Sequence, residues 1–220
     1  MVEKKRTFDK MTLFLIPIGV AVNFIGGQIA ILLKLPLYLD AIGTIVVGAL
    51  CGGIPGAIVG LVSNVLNSIT SPITLFYAIL NIMFGFTAAF FAKKLVFLSF
   101  WKTLLSALVF ALIGGGLGSI MTWIIYGFDF GAGVSAMFAI PMHEFMGLPK
   151  FVAQFIAEFL MDVADKLITV AAVFFVLKAM PLKLLSRLPL GDIFIKDELK
   201  AAGVDGAADE DEDEDEGGDE

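Results

Sequence analysis

One cysteine and one histidine in 220 residues remove whole classes of chemistry. Cys51 has no partner for a disulfide within the chain and no companions for a thiolate metal site. His143 cannot make a histidine cluster. No glycine-rich phosphate loop with its Lys and Ser/Thr is present, so the chain does not hydrolyse ATP by itself. Any energy input must come from a partner or an ion gradient. No nucleophile–base pair stands out, so an enzyme is the least favoured class, and neither a cofactor nor a nucleic-acid partner is expected. Charge is scarce too: 17% of residues are charged and 58% are hydrophobic, above the roughly 45–50% apolar share of soluble domains.

Several apolar runs reach the ~20 residues needed to cross a hydrocarbon core of about 30 Å. The spacing predicts helices at residues 11–33, 73–92, 103–126 and 151–178. The stretch 41–70 is broken by Gly52, Gly53 and Pro55 and reads as two helices, 41–52 and 55–70. Pro55 suits a first turn and the glycines suit the turn before it. The start, Lys4, Lys5 and Arg6 before an apolar run, looks at first like a signal peptide. The run is too long for an h-region and lacks a cleavage site, so it reads as a retained helix.

Charge parity gives the topology. Lys4, Lys5, Arg6 and Lys10 precede the first helix, Lys93, Lys94 and Lys102 flank the fourth connection, and Lys183, Arg187, Lys196 and Lys200 follow the last helix. The positive-inside rule puts all three clusters in the cytoplasm. The expectation is an all-α integral membrane protein with six transmembrane helices and both termini cytoplasmic. Residues 1–10 form the N-terminus, 11–180 the membrane domain and 181–204 a juxtamembrane segment. Residues 205–220 form an acidic tail with 11 acids and no base. Without it, 11 acids face 15 bases in the body, so the formal charge of −7 misdescribes the membrane domain. Such a tail repels itself and is expected to be disordered, as a solubilising extension or as a dock for a basic partner surface.

Polar residues inside apolar helices are the candidate site. Gln154, Glu158, Asp162, Asp165 and Lys166 fall within roughly a 120° arc of the last helix. Each charge near a bilayer centre costs about 2.5–3.5 kcal/mol on the insertion scale, so the stripe must face protein or water. Asp162 and Lys166 are an i, i+4 pair in the favourable order, which leaves Asp165 as an extra charge and a candidate proton or Na⁺ site. Asn64, Asn67, Ser68 and Ser71 share one face of the third helix. Thr74, Tyr77 and Asn81 share one face at the start of the fourth, and Thr122, Trp123 and Tyr126 end the fifth. These groups, with Gln154 and Glu158, describe a cavity open to the outside whose aromatic and polar groups suit a small molecule. Interhelical hydrogen bonds and an interfacial aromatic belt are the plainer readings of the same residues. The segments 34–40, with Asp40, and 127–150, with Asp129, His143 and Glu144, are candidate gates. For the second, an interfacial segment with Met137, Phe138, Met142, Phe145 and Met146 on the membrane surface is the alternative.

Small residues recur at four-residue spacing: Gly48, Gly52, Gly56 and Gly60, then Gly26 with Ala30, and Gly114 with Gly118. Such faces let helices approach closely in lipid. Most are expected to pack within the chain, with the Gly26 face as a candidate for a partner.

The run LPLYLDAIGT at residues 35–44, GALCGGIPGAIVGLVSN at 48–64, and the segment from DKLIT at 165–169 to KAMP at 178–181 resemble the substrate-binding S component of energy-coupling factor (ECF) transporters. The resemblance covers about residues 8–190. It implies a prokaryotic cell-membrane protein that captures a vitamin or similar micronutrient at the outer face. It also implies partners, a transmembrane coupling protein and two cytoplasmic ATPase subunits, with small residues of the first helix, here Gly26 and Ala30, at the coupling contact. The ligand contacts it implies agree with Tyr77, Asn81, Trp123, Tyr126, Gln154 and Glu158, with Asn67 at the margin. In this reading Glu158 meets a cationic or hydrogen-bond-donor group. Two rival expectations are a sensory or scaffold membrane protein working through its acidic tail and a self-contained ion-coupled carrier.

Overall fold

The computed structural model describes residues 8–201; the acidic tail and the Lys4–Lys5–Arg6 cluster lie outside them. Among the described residues every secondary-structure element is helical and there are no strands. The elements are α1 (Lys10–Leu32), α2 (Ile42–Cys51), α3 (Gly53–Asn67), α4 (Ala78–Lys93), α5 (Phe100–Ala111), α6 (Gly118–Ile125), α7 (Val134–Met146), α8 (Lys150–Lys178), α9 (Leu182–Leu185) and α10 (Gly191–Ala201). A π-helical segment, Leu112–Leu117, joins α5 to α6 without a break. Two helices are long and apolar enough to cross a membrane, Lys10–Leu32 and the continuous Phe100–Ile125. Both present large apolar side chains outward, among them Phe14 and Ile25 on α1 and Leu105 and Ile124 on α5–α6.

The short α2 is the centre of the packing. All nine residues from Gly43 to Cys51 are buried, including the free thiol of Cys51. Ten residues make a helix only about 15 Å long, so α2 is shorter than α1, α3 and α4 packed around it. Residues 33–41 continue it as an irregular strap. Gly52, at φ +105°, makes the sharp reversal into α3, and Pro55 sits in the first turn of α3, where its missing N–H costs nothing. At this same end of α2, the Leu50 carbonyl accepts a hydrogen bond from Leu190 N–H at 2.9 Å, which ties the C-terminal segment to the core.

Glycines set how closely these helices approach. A Cβ on Gly43 would meet the Gly19 backbone. One on Gly48 would lie 2.6 Å from the Gly85 carbonyl, and one on Gly56 2.7 Å from the Gly48 Cα. A Cβ on Gly60 would lie 2.6 Å from the Asn81 carbonyl. Of the four-residue glycine repeat, Gly48, Gly56 and Gly60 are therefore spent on α2, α3 and α4 contacts within the chain, while Gly52 makes the turn.

Backbone groups brought this close to a neighbouring helix need polar partners. Asn23 on α1 supplies three bonds. Its Oδ1 accepts from Gly43 N–H at 2.7 Å, and its Nδ2 donates to Thr44 Oγ1 at 2.8 Å and Ser63 Oγ at 3.0 Å. All of this is fully buried, so one side chain clips α1, α2 and α3 together. Asn23→Leu should lower stability by about 1–3 kcal/mol, because the Gly43 N–H is left buried without a partner. Thermal unfolding in detergent measures it, and an unchanged melting temperature would refute this account of the clip.

Candidate functional site

The polar stripe of α8 meets the strap near the middle of the helix. Asp165 Oδ1 accepts from the backbone N–H groups of Tyr38 at 2.9 Å and Leu39 at 2.8 Å. Leu39 has φ +52°, a left-handed conformation unusual for leucine, and these bonds hold it there. Asp165 Oδ2 pairs with Lys166 Nζ at 2.5 Å, and Asp162 Oδ1 is 3.2 Å from the same nitrogen. The ammonium also lies 4.9 Å from the Phe84 ring centroid and 5.9 Å from that of Tyr38. Lys166 is 1% exposed, so its charge is consumed by two carboxylates and two aromatic faces. Asp165 is thus no spare charge: both its oxygens are occupied, and the expected proton or Na⁺ site becomes the fastening of the strap.

Above this pair lies a cavity of about 870 Å³. It is enclosed by the end of α1, the strap, α3, α4, the π segment, α6, α7 and α8. The π segment is built for close approach. A Cβ on Gly114 would overlap the Asp162 carboxylate, and one on Gly115 would come within 2.7 Å of the Phe159 Cα. Gly114 and Gly115 let α8 press Asp162 against a widened helical turn, and such turns recur at functional sites.

Two hydrogen-bonded chains form the polar wall. In one, Asn64 Nδ2 donates to the Thr74 carbonyl at 2.7 Å, and Asn81 Nδ2 donates to Asn64 Oδ1 at 2.8 Å and to the Asp40 carbonyl at 3.3 Å. In the other, Tyr77 and Thr122 share a hydroxyl–hydroxyl bond of 2.7 Å. Gln154 Nε2 donates to Glu158 Oε1 at 2.8 Å and to Ser135 Oγ at 3.4 Å, while its Oε1 accepts from Gly131 N–H at 3.3 Å.

Asn67, Tyr77, Asn81, Tyr126 and Glu158 line the cavity, as do Asp162, Lys166 and Asp40. Two expected ligand contacts do not. Trp123 points away and packs on Phe151 and Phe128, with ring centroids 5.5 and 6.3 Å apart. Gln154 is fully buried behind Glu158 and orients its carboxylate. Gly26 and Ala30 are not a free coupling face either. A Cβ on Gly26 would run into the Leu39 carbonyl, and Ala30 is buried and borders the cavity.

The segment 127–150 is no plain loop: it contains α7, with Pro141 inside the helix. Ser135, Ala136 and Ala139 face inward while Phe145 and Met146 are exposed. Met137 and Phe138 reach the cavity; Asp129, His143 and Glu144 do not. His143 Nδ1 is bonded to the Leu148 carbonyl at 2.6 Å, which closes the turn at Gly147, φ +67°. Asp129 instead holds Lys150 at 2.8 Å and its neighbour Phe130 N–H at 2.8 Å. Sequence reasoning missed Tyr38, Phe84 and the glycines of the π segment as parts of the site. The apolar run 103–126 gave no sign of a widened turn beyond the Gly114–Gly115–Gly116 triplet itself.

No family model, curated protein or solved structure matches the chain.

Asp165→Ala should destabilise the protein by about 3–5 kcal/mol, the cost of breaking a buried ion pair. It should exceed Asp162→Ala, since Asp165 alone also holds two backbone N–H groups. Equal melting temperatures for the two variants would contradict this division of labour. At the surface, the Lys150 hydrogen bond, and then that from Phe130 N–H, holds the Asp129 carboxyl below the usual carboxylate range. A depressed carboxyl favours the folded contact above its unfolded pKa, and the contact is lost as pH falls through the folded value. Being exposed, it is also screened by salt. Carbon-13 NMR of labelled aspartate should show Asp129 titrating low, and moving back toward the ordinary range in Lys150→Met or in high salt.

Proposed function

We propose that this chain is the substrate-binding membrane subunit of an ECF-type importer, taking a small water-soluble vitamin or precursor. One observation carries the reading: a cavity of about 870 Å³ with fixed polar groups, inside an all-helical chain whose longest apolar helices turn apolar faces outward. Cavities of roughly 300–1,000 Å³ with a few convergent polar groups are what small-molecule sites look like. The glycine-packed α1–α4 unit and the strap coincide with the segments that carry the family resemblance.

In this reading the chain crosses a prokaryotic cell membrane six times with both termini cytoplasmic. The second crossing is made jointly by the strap and α2. Irregular backbone at membrane depth is tolerated where it is buried in protein, and the Asp165 bonds to Tyr38 and Leu39 meet that condition. The cavity, walled by α7 and the strap, receives ligand at the outer face, and these two elements gate it. A transmembrane coupling protein and two ATPase subunits supply the energy. With Gly26 and Ala30 turned inward, the exposed side of α1 around Ala21 and Ile25 faces that partner. Ligand binding must alter affinity for the partner, since coupling requires a difference between states.

Glu158 is buried, hydrogen-bonded and on the cavity wall, so it is the residue to test. Native mass spectrometry of protein purified in mild detergent should reveal a co-purifying vitamin-sized mass. Glu158→Gln should weaken binding of that compound by about tenfold or more, as expected for losing one charge-assisted contact, while the variant still folds. Uptake into liposomes should need the coupling protein, the ATPases and ATP. Gradient-driven uptake by this chain alone would replace the reading with an ion-coupled carrier.

A further inference from the structure

The end of the bundle away from the cavity gathers charge of one sign. The Phe100 ring at the start of α5 meets Phe174 and Phe175 near the end of α8, with centroids 5.4 and 6.2 Å apart. Lys178 ends α8 and pairs with Asp197 of α10. The Leu190–Leu50 backbone bond fixes the segment before α10 to the same end of α2. The end of α4, the start of α5 and the α9 segment therefore bring Lys93, Lys94, Lys102, Lys183 and Arg187 to one face. All five are exposed. None is ion-paired with a carboxylate among the described residues. The described acids of this face are Asp192, Asp197 and Glu198, all on α10. Asp197 is held by Lys178, and Lys196 on the same helix offsets part of the rest, so the five bases remain in excess.

The chain itself carries the opposite charge at this place. Leu185, Leu188 and Phe194 are buried, so α9 and α10 lie packed on the end of the bundle. Only three residues separate Ala201, the last residue of α10, from Asp205, where a stretch with 11 acids and no base begins. An extended chain covers about 3.3–3.6 Å per residue, so residues 205–220 have a reach on the order of 50 Å. Helices packed 8–10 Å apart give the face a width of roughly 30 Å. Every base on it is within reach. Single exposed ion pairs are weak and screened by salt, but the acids are tethered, and a short tether holds them at about millimolar local concentration.

We propose that residues 205–220 dock in cis on this basic face. The contact is electrostatic and depends on the number of charges rather than on a particular residue. It covers Lys93, Lys94, Lys102, Lys183 and Arg187 until another polyanion displaces the tail. This inference is independent of what the cavity binds.

Zero-length carbodiimide cross-linking of the purified full-length protein, with the monomer isolated and digested for mass spectrometry, tests the docking. Links should join carboxyls of residues 205–220 to Lys93, Lys94, Lys102 or Lys183 at low salt, and should disappear in half-molar salt by the screening of exposed charges. They should persist after reconstitution in phosphatidylcholine vesicles containing phosphatidylserine. A fluorescein-labelled peptide of residues 205–220 gives a second readout in detergent. It should bind a chain ending at residue 204 roughly tenfold or more tightly than the full-length protein, because the tethered copy competes at high local concentration. Replacing Lys93, Lys94, Lys102 and Lys183 by Gln in the shortened chain should abolish that binding. No links within the monomer at low salt would overturn the proposal. Links lost in the phosphatidylserine vesicles would assign the face to lipid headgroups and overturn it too, as would equal peptide binding to both chains. The cross-linking of the full-length protein decides the matter even where a variant fails to fold.

Discussion

Burying one ammonium group inside an apolar helical chain organises most of what surrounds the cavity. Lys166 must be neutralised where it lies, and Asp162 and Asp165 on the same helix do so from two sides while Phe84 and Tyr38 close over it. Because Asp165 has a second oxygen, the same residue reaches across to the strap and satisfies two backbone N–H groups that no helix could. Floor, strap and wall of the cavity are thus one electrostatic unit. Replacing such a pair by well-packed apolar residues is often neutral for stability, so the strap and the cavity, rather than stability, are what these charges provide.

Close backbone packing is the second constraint, and it acts on both sides of the site. Glycines bring α2, α3 and α4 together at one side, and the π segment brings α5–α6 against α8 at the other. With no side chains between them, the helices leave their polar residues pointing into a shared space instead of at one another. The cavity is in this sense what remains between two tightly packed units, and its lining is rich in amides and carboxylates because those units spend their small residues on contact.

Much of this was legible in the chain. The periodicity of α8 placed Glu158, Asp162, Asp165 and Lys166 on one face, and the faces of Asn64 with Asn67 and of Tyr77 with Asn81 converge on it as expected. The break at Gly52 to Pro55 and the paired glycines were visible too. Other features were hidden for physical reasons. Trp123 is as amphipathic as a ligand-stacking ring, and only its contact with Phe151 shows that it faces away. Asp165 looks surplus until the strap arrives, because its partners are backbone groups that carry no side-chain signal. The helix α7 contains Pro141 and is flanked by glycines, so local composition reads as loop, and its burial against α8 overrides that preference. Gly26 has the spacing of an interhelical contact, but its neighbour is the Leu39 carbonyl in an irregular segment that periodicity cannot describe.

The bonds from Asp165 to the strap join residues 127 and 126 positions apart in sequence, and that separation sets an order of events during synthesis. The first four helices and the strap emerge long before α8, so Tyr38 and Leu39 must wait with their N–H groups unpaired while more than half of the chain is made. Closing so long a loop carries an entropic cost that is met only when the contact forms. The N-terminal half can assemble on its glycine contacts and the Asn23 clip, but the floor of the cavity comes into being last, as a single step, when the longest helix docks.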